Sequence, residues 1–441
     1  MRQTAAERRP GGTRPKRMAV PGSLLVLHAG ELLTMAGPPD PRTHELAAEM
    51  GLIEDGAVYI EGERVVDVGR TSEVVARHPQ ADTQIDATGK VVLPGFVDPH
   101  THAVFAGSRE REVEWKAQGL TYAEIAARGG GILETVQATR KASEADLARI
   151  ASDRLRTMMG FGTTTVEVKS GYGLRTDDEL KILRAAAKAG ALAKLDVIST
   201  FLGAHAVPPE NTGKTDAYVD LVAGEMLDAV VSAGIAAFCD VFVDDGYFTS
   251  FQGRRILEQA SQSGLRPKVH ADELKDTDGA SLAADVGATS ADHLLHSSSD
   301  GIDAMARRGV IGVLLPSTSL TSHLPFADGR RLVAAGVPVA LGTDFNPNTW
   351  CESMQLVIAL ACHHTGLVPA EAIVAATINA AHAVGRGADL GGLERGKQAD
   401  LVVLDVPSYR HLGYRVGGNA VHTVIKSGRI RIATSSRSPR S

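Results

Sequence analysis

From Phe96 to about Thr343, short apolar runs alternate with longer alanine-rich stretches whose apolar positions recur at helical spacing. Ala142–Phe161, Thr176–Ala193 and Tyr218–Ala233 are the clearest of the helical stretches. The apolar runs end near His102, Lys169, His205, Val243, His270, His293, Pro316 and Thr343. Strand–helix alternation repeated eight times predicts an α/β fold, a (β/α)8 TIM-like barrel, over residues 93–394. A doubly wound open sheet is the alternative. It accounts less well for ligand-type residues on the first, fifth, sixth and eighth strands, which a closed barrel brings to one mouth. The chain ends have another texture. Ser23–Val26, Gly56–Glu61, Arg64–Val68 and Thr83–Asp86, then Ala399–Asp405 and Val421–Arg431, are short runs separated by turn residues. They predict a small antiparallel unit, a discontinuous β-sandwich domain from residues 18–92 and 395–441. Residues 1–17 are rich in Arg, Pro and Gly without apolar periodicity and predict a disordered basic tail.

Chemistry collects at the predicted strand ends, where barrel enzymes carry it. His100 and His102 stand two apart, so they face the same way at the end of an extended segment. Such a pair alone is more often a hydrogen-bonded structural pair than a metal site. His270 and Asp344, each closing another apolar run, change that reading. Three histidines and an aspartate suit Zn²⁺ or Fe²⁺ and leave room for a water. Asp98 has two open readings, as the orienter of a ligand imidazole or as a buried capping carboxylate. Gly129–Gly130–Gly131 lacks the lysine of a phosphate-binding loop.

Composition excludes several classes. A net charge of -6 over 441 residues offers no concentrated basic face for nucleic acid. No apolar run approaches the roughly 20 residues of a membrane helix. Gly22–Leu33 is broken by His28, Gly30 and Glu31, which argues for a strand rather than a secretory signal. Three cysteines without metal-ligand spacing fit a reduced, cytoplasmic protein.

The segments Pro94–Arg109, Thr121–Ile125, Glu167–Leu174, Phe201–Pro208, Lys268–Glu273, Ala291–Leu294 and Thr343–Pro347 resemble the amidohydrolase superfamily, over nearly the whole chain from Ser23 to Ile432. Arg109, Tyr172 and Asp344–Pro347 are similar to its branch in histidine breakdown, which cleaves a C–N bond in an imidazolone ring carrying a propionate. The resemblance implies one Zn²⁺ per subunit (iron is the alternative) on His100, His102, His270 and Asp344. Binuclear relatives use a lysine at the end of the fourth strand. Phe238–Val243 ends without one, so a single metal is expected. Asp344, His293 and Glu273 become the catalytic candidates. Arg109 is expected at the carboxylate, Tyr172 at the carboxylate or the ring, His205 and Glu273 at the ring, and Asn346, Asn348 and Thr349 in contact with substrate. Relatives usually carry Gly where this chain has Asn348, so a positive φ or a close backbone approach is expected there. The resemblance also implies a homodimer acting on a small molecule. A ring deaminase on the same barrel, and a barrel kept as a scaffold, are the competing readings.

Overall fold

The computed structural model describes residues 22–120, 124–125 and 128–434. The expected basic tail lies outside them. Among the described residues the strands are β1 Ser23–Leu33, β2 Leu52–Glu61, β3 Arg64–Arg70, β4 Thr83–Asp86, β5 Val91–Pro94, β6 Phe96–Asp98, β7 Thr163–Lys169, β8 Asp196–Ala204, β9 Phe238–Val243, β10 Arg266–Ala271, β11 Ser290–His293, β12 Ile311–Leu314, β13 Val339–Leu341, β14 Leu401–Leu404, β15 Val421–Lys426 and β16 Arg429–Ala433.

Strands β6 to β13 form one parallel sheet in strict chain order, the pattern of a TIM-like barrel. Its first and eighth strands meet just beyond their ends. Thr101 bridges Phe345, Asp344 N donates to His100 O (3.0 Å), and His102 N donates to Phe345 O (2.8 Å). The alternation of side chains sorts each strand. Val166, Val168, Val241, Val243, Val269 and Ala271 point outward into the core shared with the helices. The intervening Glu167, Lys169, Asp240, Lys268 and His270 therefore share the inner face. Seven of these strands end within about two residues of the predicted ends and the first ends at Asp98, four before His102, because β-branched runs bounded by Gly and by helical stretches leave little other choice.

The two chain ends build a separate sheet of order β16-β15-β14-β5-β1-β2-β3, with β4 also on β1. It is mixed rather than antiparallel as expected, since β4 and β5 both run parallel to β1. Its buried face draws Leu24, Val26, Val58 and Ile60 from one end of the chain and Leu401, Val403 and Ile425 from the other. Gly95 alone separates β5 from β6. A Cβ there would sit 2.3 Å from the Thr164 side chain, so glycine is required for the chain to step directly from sheet to barrel.

Candidate active site

The inward-facing side chains form a layer of buried charge beneath the strand ends. Lys169 Nζ lies 3.1 Å from Glu167, 2.8 Å from Asp240 and 3.3 Å from Asp292. Lys268 Nζ donates to Glu167 Oε2 at 2.7 Å. All five side chains are fully buried. Burial alone would lower the pKa of Lys169, but Asp240, Glu167 and Asp292 outweigh it and the net shift is upward.

The candidate ligands stand on this layer. His100 Nδ1 donates to Asp292 Oδ2 at 2.6 Å, which fixes the tautomer and turns Nε2 away from the network. Asp240 Oδ2 lies 2.9 Å from His270 Nδ1, off the hydrogen-bonding direction, and Asp240 Oδ1 accepts from the His270 backbone N–H. Asp344 Oδ1 lies 3.5 Å from His100 Nε2 and 3.7 Å from His102 Nε2. His100, His102 and His270 bring their donor nitrogens within 4.8 Å of one another, and so do the donors of His100, His293 and Asp344. Donors around a tetrahedral ion at ~2.1 Å stand roughly 3.4 Å apart. The buried His100 Nε2 and His270 Nε2 have no hydrogen-bond partner. Burial holds His100, His102 and His270 well below the usual histidine range, so they present neutral imidazoles. Buried, neutral, orphaned nitrogens around a carboxylate fit a divalent metal by donor chemistry and spacing. Asp292→Asn, which weakens the hold on His100, is expected to lower metal affinity about 10–100-fold. Competition with a chromogenic chelator measures it.

Asp344 and His293 have backbone φ of 47° and 80°, values an L-residue rarely adopts. The Asp344 carboxylate accepts from Thr318 Oγ1 (2.5 Å) and Asn346 Nδ2 (2.9 Å). Burial pushes Asp344 up to about 6 despite those donors. Burial also brings His293 and His205 down to about 4. Glu273 Oε2 lies 3.6 Å from His293 Nε2. Its pKa is raised well above the carboxylate range by burial, then by Asp344 and Asp244.

A cavity of about 490 Å³ opens above these groups, within the usual size for a small-molecule site. Of the predicted residues, His102, His270, His293, Asp344, Glu273, Arg109, Tyr172, His205, Asn346 and Asn348 line it. His205 donates from Nδ1 to Gly171 O (3.0 Å) and stacks on His102 at 5.0 Å, leaving Nε2 as an acceptor. The Gly-Tyr-Gly turn carrying Tyr172 wraps Glu179, whose carboxylate accepts from the backbone N–H of Gly171, Gly173 and Leu174.

Four expectations are refined. Thr349 does not line the cavity; its hydroxyl is buried against Thr321 Oγ1 (2.7 Å) and accepts from Thr318, braced behind Asp344. Asn348 has no positive φ, because Asn346 Oδ1 accepts from the N–H of both Asn348 (2.7 Å) and Thr349 (2.9 Å) and closes the turn with ordinary backbone angles. Asp98 does not orient an imidazole. It accepts from Thr343 N (3.0 Å) and Thr343 Oγ1 (2.6 Å), clasping the first strand to the eighth. Arg109 is gripped by Glu112 through two 2.7 Å hydrogen bonds. Asp292, Asp240, Glu167 and Glu179 are the residues that reading the strand ends missed. Their signal was present, since Glu167, Asp240 and Asp292 sit at inward positions of strands that are otherwise apolar.

Donors at the mouth of a β/α barrel, above a layer that orients them, define a metal-dependent hydrolase. The sequence pattern of the Amidohydrolase family matches residues 91–431, and that of an "Imidazolonepropionase-like composite domain, bacteria" matches residues 56–81. An imidazolonepropionase from Geobacillus kaustophilus is 50% identical over 92% of this chain and 97% of its own. One from Symbiobacterium thermophilum is 49% identical over 93% and 97%. An adenosine deaminase structure from Xanthomonas campestris, with bound zinc, shares the fold at TM-score 0.68 and 20% identity, over 93% of both chains. This chain belongs to the amidohydrolase family and, within it, to the imidazolonepropionases.

Proposed function

We propose that this protein hydrolyses the ring C–N bond of 4-imidazolone-5-propanoate to N-formimidoyl-L-glutamate, the third step of histidine degradation. The observation that carries the reading is the set of orphaned imidazole nitrogens facing Asp344 on the floor of a 490 Å³ cavity. Half-identity to imidazolonepropionases along nearly the whole chain supports the substrate.

His100, His102, His270 and Asp344 would hold one ion, Zn²⁺ by the neutral imidazole and carboxylate donor set, with iron the alternative. Such an ion supplies Lewis acidity and brings the pKa of a bound water from 15.7 to about 7. Asp344 takes the proton of the attacking water and passes it to the ring nitrogen as the C–N bond breaks. Its Oδ2, held by Thr318, keeps that geometry through the transfer. Neutral His293 donates a hydrogen bond to the oxygen on which negative charge develops. Glu273 and His205 orient the ring through its N–H and carbonyl groups, and Tyr172 and Arg109 face the propionate. Asn346 orients Asp344 from the side, and Asn348 reaches substrate through the cavity wall. A homodimer is part of this reading, and Tyr414 and Val416 are exposed apolar side chains. So is a reducing, cytoplasmic setting, supported by three free cysteines.

The test is loss of imidazolone absorbance by metal-loaded protein, with hydantoin and guanine as controls. Turnover of the imidazolone above both controls is expected. Turnover of guanine alone would establish the deaminase reading. Metal analysis of purified protein is expected to find about one equivalent per chain, and folded protein that never takes up zinc or iron would support the scaffold reading.

A further inference from the structure

We propose, on the hydrolase reading above, that Asp244 is a positioning residue. From the end of the fourth barrel strand it holds the Glu273 loop in place, so that a ring brought to His293 meets a fixed carboxyl.

Glu273 stands on the segment after β10, which has no regular structure from Asp272 to Asp278. Its carboxyl lines the cavity and lies 3.6 Å from His293 Nε2. Fixing a long side chain costs rotamer entropy, and an irregular loop adds the entropy of its backbone. The place of Glu273 therefore depends on what holds the backbone beneath it.

Asp244 holds it. β9 ends at Val243, and the Asp244 side chain that follows is buried. Its Oδ2 accepts from Leu274 N (2.8 Å), and its Oδ1 accepts from Lys275 N (3.2 Å) and Asp245 N (2.7 Å). Burial raises its pKa, and the backbone N–H groups of Leu274, Asp245, Glu273 and Lys275 draw it back down. Three successive N–H groups, from Glu273 to Lys275, thus face one carboxylate, as in a backbone nest around an anion. An asparagine of the same shape would turn an NH₂ group toward one of those donors. The His270 backbone, in contrast, is held by Asp240.

The same segment is pinned from its other side. Asp272 turns the chain with a φ of 55°, and its buried carboxylate accepts from the N–H of Thr277, Gly279 and Ala280 and from Ser297 Oγ. Its backbone O accepts from His296 N (3.0 Å), three residues past His293. Glu273 therefore sits between two clamps, Asp272 tied to the loop of the sixth strand and Asp244 on the fourth. Asp244 also reaches the cavity wall, since its backbone O accepts from Tyr247 N (3.1 Å) and Tyr247 packs on Phe242 with ring centroids 3.9 Å apart. Wall and carboxyl are set by one residue.

The test is a double-mutant cycle on metal-loaded protein, with wild type, Asp244→Asn, Glu273→Ala and the double variant. Asp244→Asn is expected to lower kcat/KM for the imidazolone about tenfold or more, the scale of a misplaced orienting group. In the Glu273→Ala background the same change is expected to cost less than about threefold, because a residue that acts through Glu273 has nothing left to position. Chelator competition is expected to find metal affinity within about threefold of wild type, since Asp240 holds His270. An equal loss in both backgrounds, a loss below about threefold in Asp244→Asn that is folded by circular dichroism, or a loss that tracks metal release would overturn the proposal. Asp244→Ser, which keeps one acceptor, enters the cycle if Asp244→Asn does not fold. Calorimetric binding of 3-(imidazol-4-yl)propanoate repeats the cycle without turnover. If wild type turns over no imidazolone yet the loss in binding from Asp244→Asn vanishes in the Glu273→Ala background, the hydrolase reading fails and the positioning assignment stands.

Discussion

Asp344→Asn is expected to lower kcat/KM for the imidazolone by at least about 10³-fold. The substitution keeps size and hydrogen-bonding shape but removes the negative charge and the basic oxygen. Two functions meet on this side chain. Oδ1 faces His100 and His102 at 3.5 and 3.7 Å, and Oδ2 is held by Thr318. Losing the charge weakens the donor set, and losing the base leaves the proton of the attacking water without its acceptor. Steady-state kinetics alongside metal content separates the two. A large fall in kcat with metal retained assigns the proton to Asp344. A variant within tenfold of wild type with full metal content would move the proton to His293 or Glu273.

Glu167→Ala is expected to destabilise the fold by about 3–5 kcal/mol, the usual cost of leaving a buried charge without its partner. Glu167 accepts from Lys169, Lys268 and Thr200, and none of the three has access to water. Its removal leaves two ammonium groups sharing Asp240 and Asp292. Chemical denaturation at neutral pH measures the loss. Glu167→Gln retains an acceptor and is expected to cost less. A loss below about 1 kcal/mol for the alanine variant would mean that the layer relaxes or admits water.

Much of this was legible beforehand, for a definite reason. A barrel strand is an apolar run of set length, and its last inward residue faces the mouth. Finding His100, His102, His270, His293 and Asp344 at run ends was therefore enough to place them together. Asp292 and Asp240 were harder. Their importance comes from which imidazole each meets across the barrel, and pairing between side chains on different strands leaves no periodic trace. Thr349 shows the same limit at the loop, where one residue of displacement puts a hydroxyl behind Asp344 instead of in the cavity. The Arg109–Glu112 grip is legible in principle, as an i, i+3 pair of opposite charge across the start of the helix Arg111–Ala117. At Asn348 backbone tolerance says nothing of the side chain, which accepts from Lys116 Nζ and donates to Ser322 Oγ.

The terminal sheet has a consequence for the order of assembly. β5 pairs with β14, its neighbour in space, across roughly 300 residues of chain. Translation at about 5–20 residues per second keeps those partners apart for roughly 15–60 s. Throughout that interval β5 presents an open apolar edge, the geometry that recruits foreign strands. The barrel is the insert that fills this wait, so nascent chains stalled within it are expected to be the species most prone to aggregate.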